Sequence, residues 1–409
     1  MRILWVKPGK LLPLDRGGKI RSYNILRHLC RDHLVTCLSY YGGKRDHRYE
    51  QEVAASLPGA ITLHTPSLTI TPVRRAADYL RLLPSSMPFV VANYMVPEVQ
   101  QLLSTWLNER RFEVAVCDFL ACSPNFPPVL TTPTVLFQHN VESVLWRRKA
   151  LYESNFVRKL AWKLEAYKME RYEREALNRF HRVIAVSERD REYMSAMTDP
   201  ARIFVVPTGV DLQEYQNSAG PPSNRPLVVF TGSMDWRPNI DAVQFFCREV
   251  WPRILSAVPD ARFRIVGRRP YAAVEKLACD TIEVTGTVPS IVDHLRQAAV
   301  VVVPLRIGGG TRLKIYEAMA MGKAVVSTSV GAEGLDVEDT CDIMLADDPS
   351  TFSERVITLL RDAALREYIG REAAKRSRQY DWSVITQRFA QVLEKATALS
   401  TPTPVSMHQ

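Results

Sequence analysis

Gly308, Gly309, Gly310, Thr311, Arg312, Leu313, Lys314 and Glu317 are the residues whose types and spacing promise chemistry. They follow the apolar run Val300 to Leu305 and lead through Gly322 and Lys323 into another, Ala324 to Ser329. A strand that stops at three glycines and restarts as a helix leaves unpaired N–H groups and the positive end of the helix dipole at one spot, which suits a phosphate. Arg312 and Lys314 add full charges there. Glu317, about a turn further on, has the wrong sign for phosphate, but a carboxylate can accept two hydrogen bonds from a ribose diol. Phosphate donors beside a diol acceptor point to a nucleotide diphosphate.

These residues need a scaffold, and the chain reads as alternating strands and helices twice over. The first series of strands is Ile3 to Val6, Leu34 to Ser39, Ile61 to His64, Val114 to Asp118, Val135 to Gln138, Val183 to Val186 and Phe204 to Val206. The second is Leu227 to Phe230, Phe263 to Val266, Ile282 to Val284, Val300 to Val303, Val325 to Ser327 and Ile343 to Leu345. Short Val/Ile/Leu-rich runs separated by helix-length stretches are the pattern of parallel sheets covered on both faces. Asn217 to Pro226, rich in Pro, Gly and Ser, reads as a linker. The fold class expected is α/β, with two doubly wound, Rossmann-like domains facing across a cleft: residues 1–206 and residues 207–381. Residues 399–409 read as a frayed tail.

In such sheets ligands bind beyond the carboxyl ends of strands. The first strand ends at Val6 and opens a loop to Gly17 and Gly18 at the start of a helix, where backbone can approach a ligand; taken alone, the pair is by default a plain turn. The loop has no G-x-G-x-x-G, which removes the main support for a dinucleotide site. His139 follows the strand Val135 to Gln138, so its ring or carbonyl is placed to reach the cleft opposite the phosphate site. In the second domain Asn239 is placed to cap a helix beginning at Ile240, and Arg237 to meet a diphosphate.

The net charge of +9 is uneven: residues 1–206 carry +10 and residues 207–409 carry −1. An anionic partner would therefore touch the first half. Its densest part, Arg147 to Arg182, interleaves cations with Trp146, Leu151, Phe156, Leu160, Trp162 and Leu164. That spacing fits a basic amphipathic helix or helix pair, whose apolar side is expected to pack on its own domain. An anionic membrane surface is the alternative partner for it. No nucleic-acid module is recognisable. Seven cysteines without a C-x-x-C pair indicate neither disulfides nor zinc, and read as core thiols. No apolar run reaches the length of a membrane span, and the opening residues lack a signal-peptide core, so a cytoplasmic location is expected, peripheral to the inner face of the membrane if the basic half does dock there.

Taken in order, the Gly17–Gly18 loop, His139 to Glu142, Val186 to Glu188, Pro207 to Asp211, Gly308 to Gly322, and Tyr380, Asp381 and Trp382 before a last helix resemble the retaining family 4 glycosyltransferases of the GT-B fold. The resemblance implies transfer of a sugar from a nucleotide diphosphate sugar to an acceptor, with retention at the anomeric carbon and with neither metal nor cofactor. It implies that a closing helix, about 382–398, packs back on the first domain. Glu317 would hold the ribose; Gly310, Thr311, Arg312 and Leu313 would hold phosphate and sugar; Gly17 and Gly18 would lie beside the β-phosphate; His139 would contact the sugar. The departing diphosphate must be stabilised as its bond breaks, and without metal this falls to cations and helix N-termini.

The chain also departs from the common pattern. Gly309 stands where many members carry a Glu eight positions before Glu317, and Ser233 and Pro238 stand where many carry Arg and Lys. Arg312, Lys314 or Arg237 must then take the diphosphate, as in a subgroup with a GGGTR-type donor loop. The acceptor expected is a saccharide, lipid-linked or other hydroxyl compound, and the basic first half favours a lipid-linked or otherwise anionic one. A sugar-nucleotide epimerase of similar fold and a non-catalytic sugar-nucleotide binder are the other readings.

Overall fold

The computed structural model describes residues 1–68, 78–151, 153–216, 226–307 and 313–398. The linker residues 217–225, the tail 399–409, and Gly308, Gly309, Gly310, Thr311 and Arg312 lie outside the described residues. Strands β1 (Arg2–Pro8), β2 (Leu34–Tyr41), β3 (Ala60–His64), β4 (Val114–Asp118), β5 (Thr134–Phe137), β6 (Arg182–Ala185) and β7 (Ile203–Val205) form one sheet, in the order β3-β2-β1-β4-β5-β6-β7. Strands β8 (Leu227–Thr231), β9 (Arg262–Val266), β10 (Ile282–Val284), β11 (Val300–Val303), β12 (Ala324–Ser327) and β13 (Met344–Leu345) form the second, in the order β10-β9-β8-β11-β12-β13. Among the described residues every strand-to-strand pairing within the two sheets is parallel. Ile3, Leu4, Trp5 and Val6 of β1, like Val300 to Val303 of β11, are buried, as strands covered on both faces must be.

Each sheet reverses its order once, between β1 and β4 and between β8 and β11. Those are the switch points at which an open α/β sheet splays its loops apart and leaves a crevice. Lys7 to Gly18 leaves β1, His139 lies just beyond β5, and Gly232 to Trp236 leaves β8.

The chain divides into two compact units, Met1–Pro207 with the chain from Ile385, and Thr208–Val384. In the second, Val210 N–H donates to the Tyr380 carbonyl at 2.8 Å, and Tyr380 stacks on Tyr316 with centroids 4.2 Å apart. In the first, Phe389 of the closing helix Trp382–Thr397 packs 5.3 Å from Trp5 and 5.1 Å from Phe137.

The basic stretch forms two helices, Glu142–Leu151 and Phe156–Arg179. Their apolar side does not all turn inward. The buried face of the longer helix carries Glu165, Lys168 and Glu173 beside Ala166, Met169, Ala176 and Leu177. Phe156, Val157, Leu160, Leu164 and Tyr167 are exposed. The charged residues are drawn in because they satisfy backbone groups of neighbouring segments. Lys168 Nζ donates to the Leu82 and Leu83 carbonyls at 3.0 Å, and Glu165 accepts from Phe89 N–H at 2.8 Å. The cysteines are also less uniform than expected: Cys37, Cys117 and Cys122 are buried but Cys279 is exposed.

Candidate active site

In the first unit the carboxyl ends of β1, β4 and β5 bring together a buried charged network. Lys7 Nζ lies 3.3 Å from Asp118 Oδ2 and donates to Ser22 Oγ at 3.3 Å. Asp118 also accepts from Trp5 Nε1 at 3.0 Å and from His139 Nε2 at 2.6 Å. Arg21 Nη1 donates to His139 Nδ1 at 2.9 Å. A guanidinium can only donate, so Nδ1 must accept and the ring proton sits on Nε2. His139 is therefore neutral, in line with burial pushing it down to about 4, aided by Arg21 and Lys7 and opposed by Asp118. Burial alone would raise Asp118, but Lys7, His139 and Ser22 outweigh it and hold the carboxyl below the usual range.

Phe119 closes this network. Its ring stacks on His139 at 3.8 Å and lies 4.4 Å from Lys7 Nζ, at a φ of 79° that a bulky residue adopts only under constraint. A Cβ on Gly18 would come within 2.6 Å of the same ring. Gly18 is thus required by packing, whatever else approaches it. Gly17 begins the helix Gly17–Asp32, which has no side-chain cap.

Glu173 fixes the segment after His139. It accepts from Gln138 Nε2 at 3.0 Å and from the N–H groups of Glu142 at 2.9 Å and Ser143 at 3.0 Å, capping the helix that begins at Glu142. The Glu142 carboxyl is pushed up to about 7 by burial and then by Glu173. A carboxyl raised in the folded state contributes stability that is complete below its unfolded value, near 4.5, and lost as pH rises through 7. Glu142→Gln should therefore gain roughly 1–3 kcal/mol over the parent at pH 8 and almost nothing at pH 4.5. Urea unfolding at the two pH values measures it; a difference independent of pH would refute it.

In the second unit the helix after β8 spans Arg237–Phe245, so it starts three residues earlier than expected and Asn239 is not its cap. Asn239 instead bridges: Nδ2 donates to the Ser233 carbonyl at 2.9 Å and Oδ1 accepts from Lys314 Nζ at 3.0 Å. Lys314 also lies 4.1 Å above the Phe230 ring. A Cβ on Gly232 would meet Asn239 Nδ2 at 2.6 Å and Lys314 Nζ at 2.8 Å, so only glycine lets the ammonium approach the end of β8. Arg237 is exposed in the first turn of its helix.

Lys314 and Glu317 share the helix Leu313–Ala320. Burial raises the Glu317 carboxyl to about 7, against the opposing Tyr215 hydroxyl, which hydrogen-bonds it, and the charge of Lys314. Sequence reasoning passed over Arg268, whose Nε donates to Ser233 Oγ at 3.1 Å, and Tyr215. It also passed over Lys7 and Asp118. A lysine and an aspartate closing buried apolar strands at carboxyl ends were the signal available for that pair.

Two family models match the chain in succession: Glycosyltransferase Family 4 over residues 16–214 and Glycosyl transferases group 1 over residues 225–362. A phosphatidyl-myo-inositol mannosyltransferase of Mycolicibacterium smegmatis is 28% identical over 234 residues, 54% of this chain and 59% of that protein. An N,N'-diacetylbacillosaminyl-diphospho-undecaprenol alpha-1,3-N-acetylgalactosaminyltransferase of Campylobacter jejuni is 24% identical over 177 residues, 42% of this chain and 45% of that one. The chain thus spans less than two thirds of these relatives. Among solved structures, sucrose-phosphate synthase from Thermosynechococcus elongatus superposes with a TM-score of 0.68 at 14% identity, covering 98% of this chain and 100% of that one. Anabaena HepE in complex with UDP does so with 0.65 at 15%, covering 97% and 100%. The fold is that of the GT-B glycosyltransferases.

Proposed function

We propose that this chain, with glycosyltransferase domains in both halves, moves a sugar from a nucleotide diphosphate sugar to a hydroxyl acceptor, with retention at the anomeric carbon and without a metal or cofactor. The observation that carries the reading is the pairing of Lys314 and Glu317 on one short helix, with Asn239 holding the ammonium at the end of β8. A cation and a carboxylate at that spacing match the diphosphate and the neighbouring ribose of a nucleoside diphosphate, and a switch point is where such a ligand binds.

In this reading Lys314 meets the diphosphate, with Arg312, Arg237, the backbone of Gly308, Gly309, Gly310, Thr311 and Leu313, and Gly17 and Gly18 as the further donors. Glu317 takes the ribose diol. His139 serves the donor sugar as an oriented, neutral group, because both ring nitrogens are engaged at neutral pH. It is a fixed wall and dipole for the sugar, and proton transfer at neutral pH falls outside its range. The acceptor is a saccharide or a lipid-linked precursor, by analogy with the phosphatidyl-myo-inositol mannosyltransferase and the diphospho-undecaprenol N-acetylgalactosaminyltransferase, and the basic first half would face anionic headgroups at the inner face of a membrane.

The deciding experiment is a mass-spectrometric screen of nucleotide sugars for protein-dependent release of nucleotide diphosphate, with and without chelator and across an acceptor panel. Release that survives the chelator supports the reading. An epimerised sugar from donor alone would replace it with an epimerase, and tight binding without any turnover with a non-catalytic binder. With the nucleotide so identified, Glu317→Gln should lose roughly 10- to 100-fold in affinity for the ribonucleotide, and much less for its 2′,3′-dideoxy analogue. Equal losses on both, read by calorimetry, would detach Glu317 from the ribose.

A further inference from the structure

We propose that the outward stripe of the Phe156–Arg179 helix is a docking surface for an anionic lipid bilayer. Phe156, Val157, Leu160, Leu164 and Tyr167 fall within roughly 100° of arc on an ideal helix and run about 17 Å along it. Phe156 is 79% exposed, Val157 74% and Tyr167 67%. Large side chains left this open on one face need a partner.

Charge says which partner. Between residues 143 and 164 the sequence has six cations, Arg147, Arg148, Lys149, Arg158, Lys159 and Lys163, and one carboxylate, Glu153; Glu170, further along the longer helix, pairs with Arg147 and leaves the excess positive. A groove of about 470 Å³ runs beside the stripe, lined by Leu151, Ala150, Ala166 and Tyr167 together with Arg147, Lys159, Lys163 and Glu170, the last paired with Arg147. An apolar trough whose rim carries three cations and one carboxylate, and is net positive, matches an anionic phospholipid in both its parts, acyl chain and phosphate. A second copy of this chain would set like charges against these lysines, whereas anionic headgroups complement them.

The tip is also held in shape for the task. Trp146 and Trp162 join the two helices with centroids 5.5 Å apart, and Lys149 Nζ lies 3.6 Å over Trp162. Asn155 caps the longer helix by accepting from Arg158 N–H at 3.0 Å, which presents Phe156 and Val157 at its start. Indole rings beside lysines at an apolar boundary are placed as they are in interfacial helices. Among the described residues no helix is long and apolar enough to cross a membrane, so contact at this stripe would be peripheral.

The test is sedimentation of the full chain with vesicles of phosphatidylcholine alone or mixed with phosphatidylglycerol, beside the triple variant Phe156→Ser, Val157→Ser, Leu160→Ser and the pair Lys159→Gln, Lys163→Gln. All replaced side chains lie on the rim or outside, so thermal unfolding of the variants should match the parent and confirm that they fold. The parent should pellet with the mixed vesicles and not with phosphatidylcholine. The triple variant should partition at least roughly tenfold less, and the charge pair should weaken binding most at low salt. A parent that stays in the supernatant, or a triple variant that pellets with it, overturns the proposal. So does a parent dimer that the triple variant converts to monomer, since a second copy would then cover the stripe. Binding is measured without donor, so a chain that transfers no sugar can still pass, and one that glycosylates a water-soluble acceptor can still fail.

Discussion

Replacing Asp118 with alanine is expected to cost about 3–5 kcal/mol of stability, because it strands a buried ammonium. Among the described residues Asp118 is the carboxylate paired with Lys7 Nζ, at 3.3 Å, and both side chains are almost wholly buried. The same change removes the acceptor of Trp5 Nε1 and of His139 Nε2. For a unit of this size the melting point should fall by roughly 6–20 °C. Lys7→Met in the same chain removes the stranded charge, so the double variant should recover much of the loss; buried pairs replaced by apolar groups are often near neutral. Equal costs for the single and double variants would mean that the pair is not the source. The network also has a pH signature. His139 is pushed down by burial to about 4, so its contribution is full above 6.5 and is lost as pH falls through 4. That sign is opposite to the one for Glu142, and each must be read in its own variant.

The two sheets were readable from short Val- and Ile-rich runs, since parallel strands buried on both faces cannot be anything but continuously apolar. The strands differ from expectation by about two residues or fewer at their ends, β1 reaching Pro8 rather than Val6. What periodicity could not say is which face of the Phe156–Arg179 helix turns inward. Glu165, Lys168 and Glu173 look like a solvated face in one dimension, yet each has a backbone partner far away in sequence. The same limit hid the commitment of His139. Its place after β5 was visible; its partners Arg21 and Asp118, 118 and 21 residues away, were not. For Gly18 the sequence could not show the packing reason for glycine, the Phe119 ring that a Cβ there would meet at 2.6 Å.

Lys314→Ala is expected to weaken nucleoside diphosphate binding by roughly 10- to 100-fold, the effect of losing one charge-assisted bond worth about 1.5–3 kcal/mol. Lys314 is half-buried and packs on Phe230, and its amide partner Asn239 keeps its bond to the Ser233 carbonyl, so the unit should stay folded. Binding of the bare nucleoside should change less, because the ammonium is assigned to phosphate. It should not be wholly unchanged. Lys314 is one of the groups holding the Glu317 carboxyl down, against burial that has already raised it to about 7. Without the ammonium, Glu317 rises further and is more protonated at pH 7, leaving one fewer acceptor for the ribose. Raising the pH to 8.5 should therefore restore part of the nucleoside affinity and little of the diphosphate affinity. Calorimetry with nucleoside and nucleoside diphosphate at the two pH values separates these terms. If Lys314→Ala and Arg312→Ala both bind the diphosphate as the parent does, the phosphate assignment falls, and with it the donor site on which the proposed transfer rests.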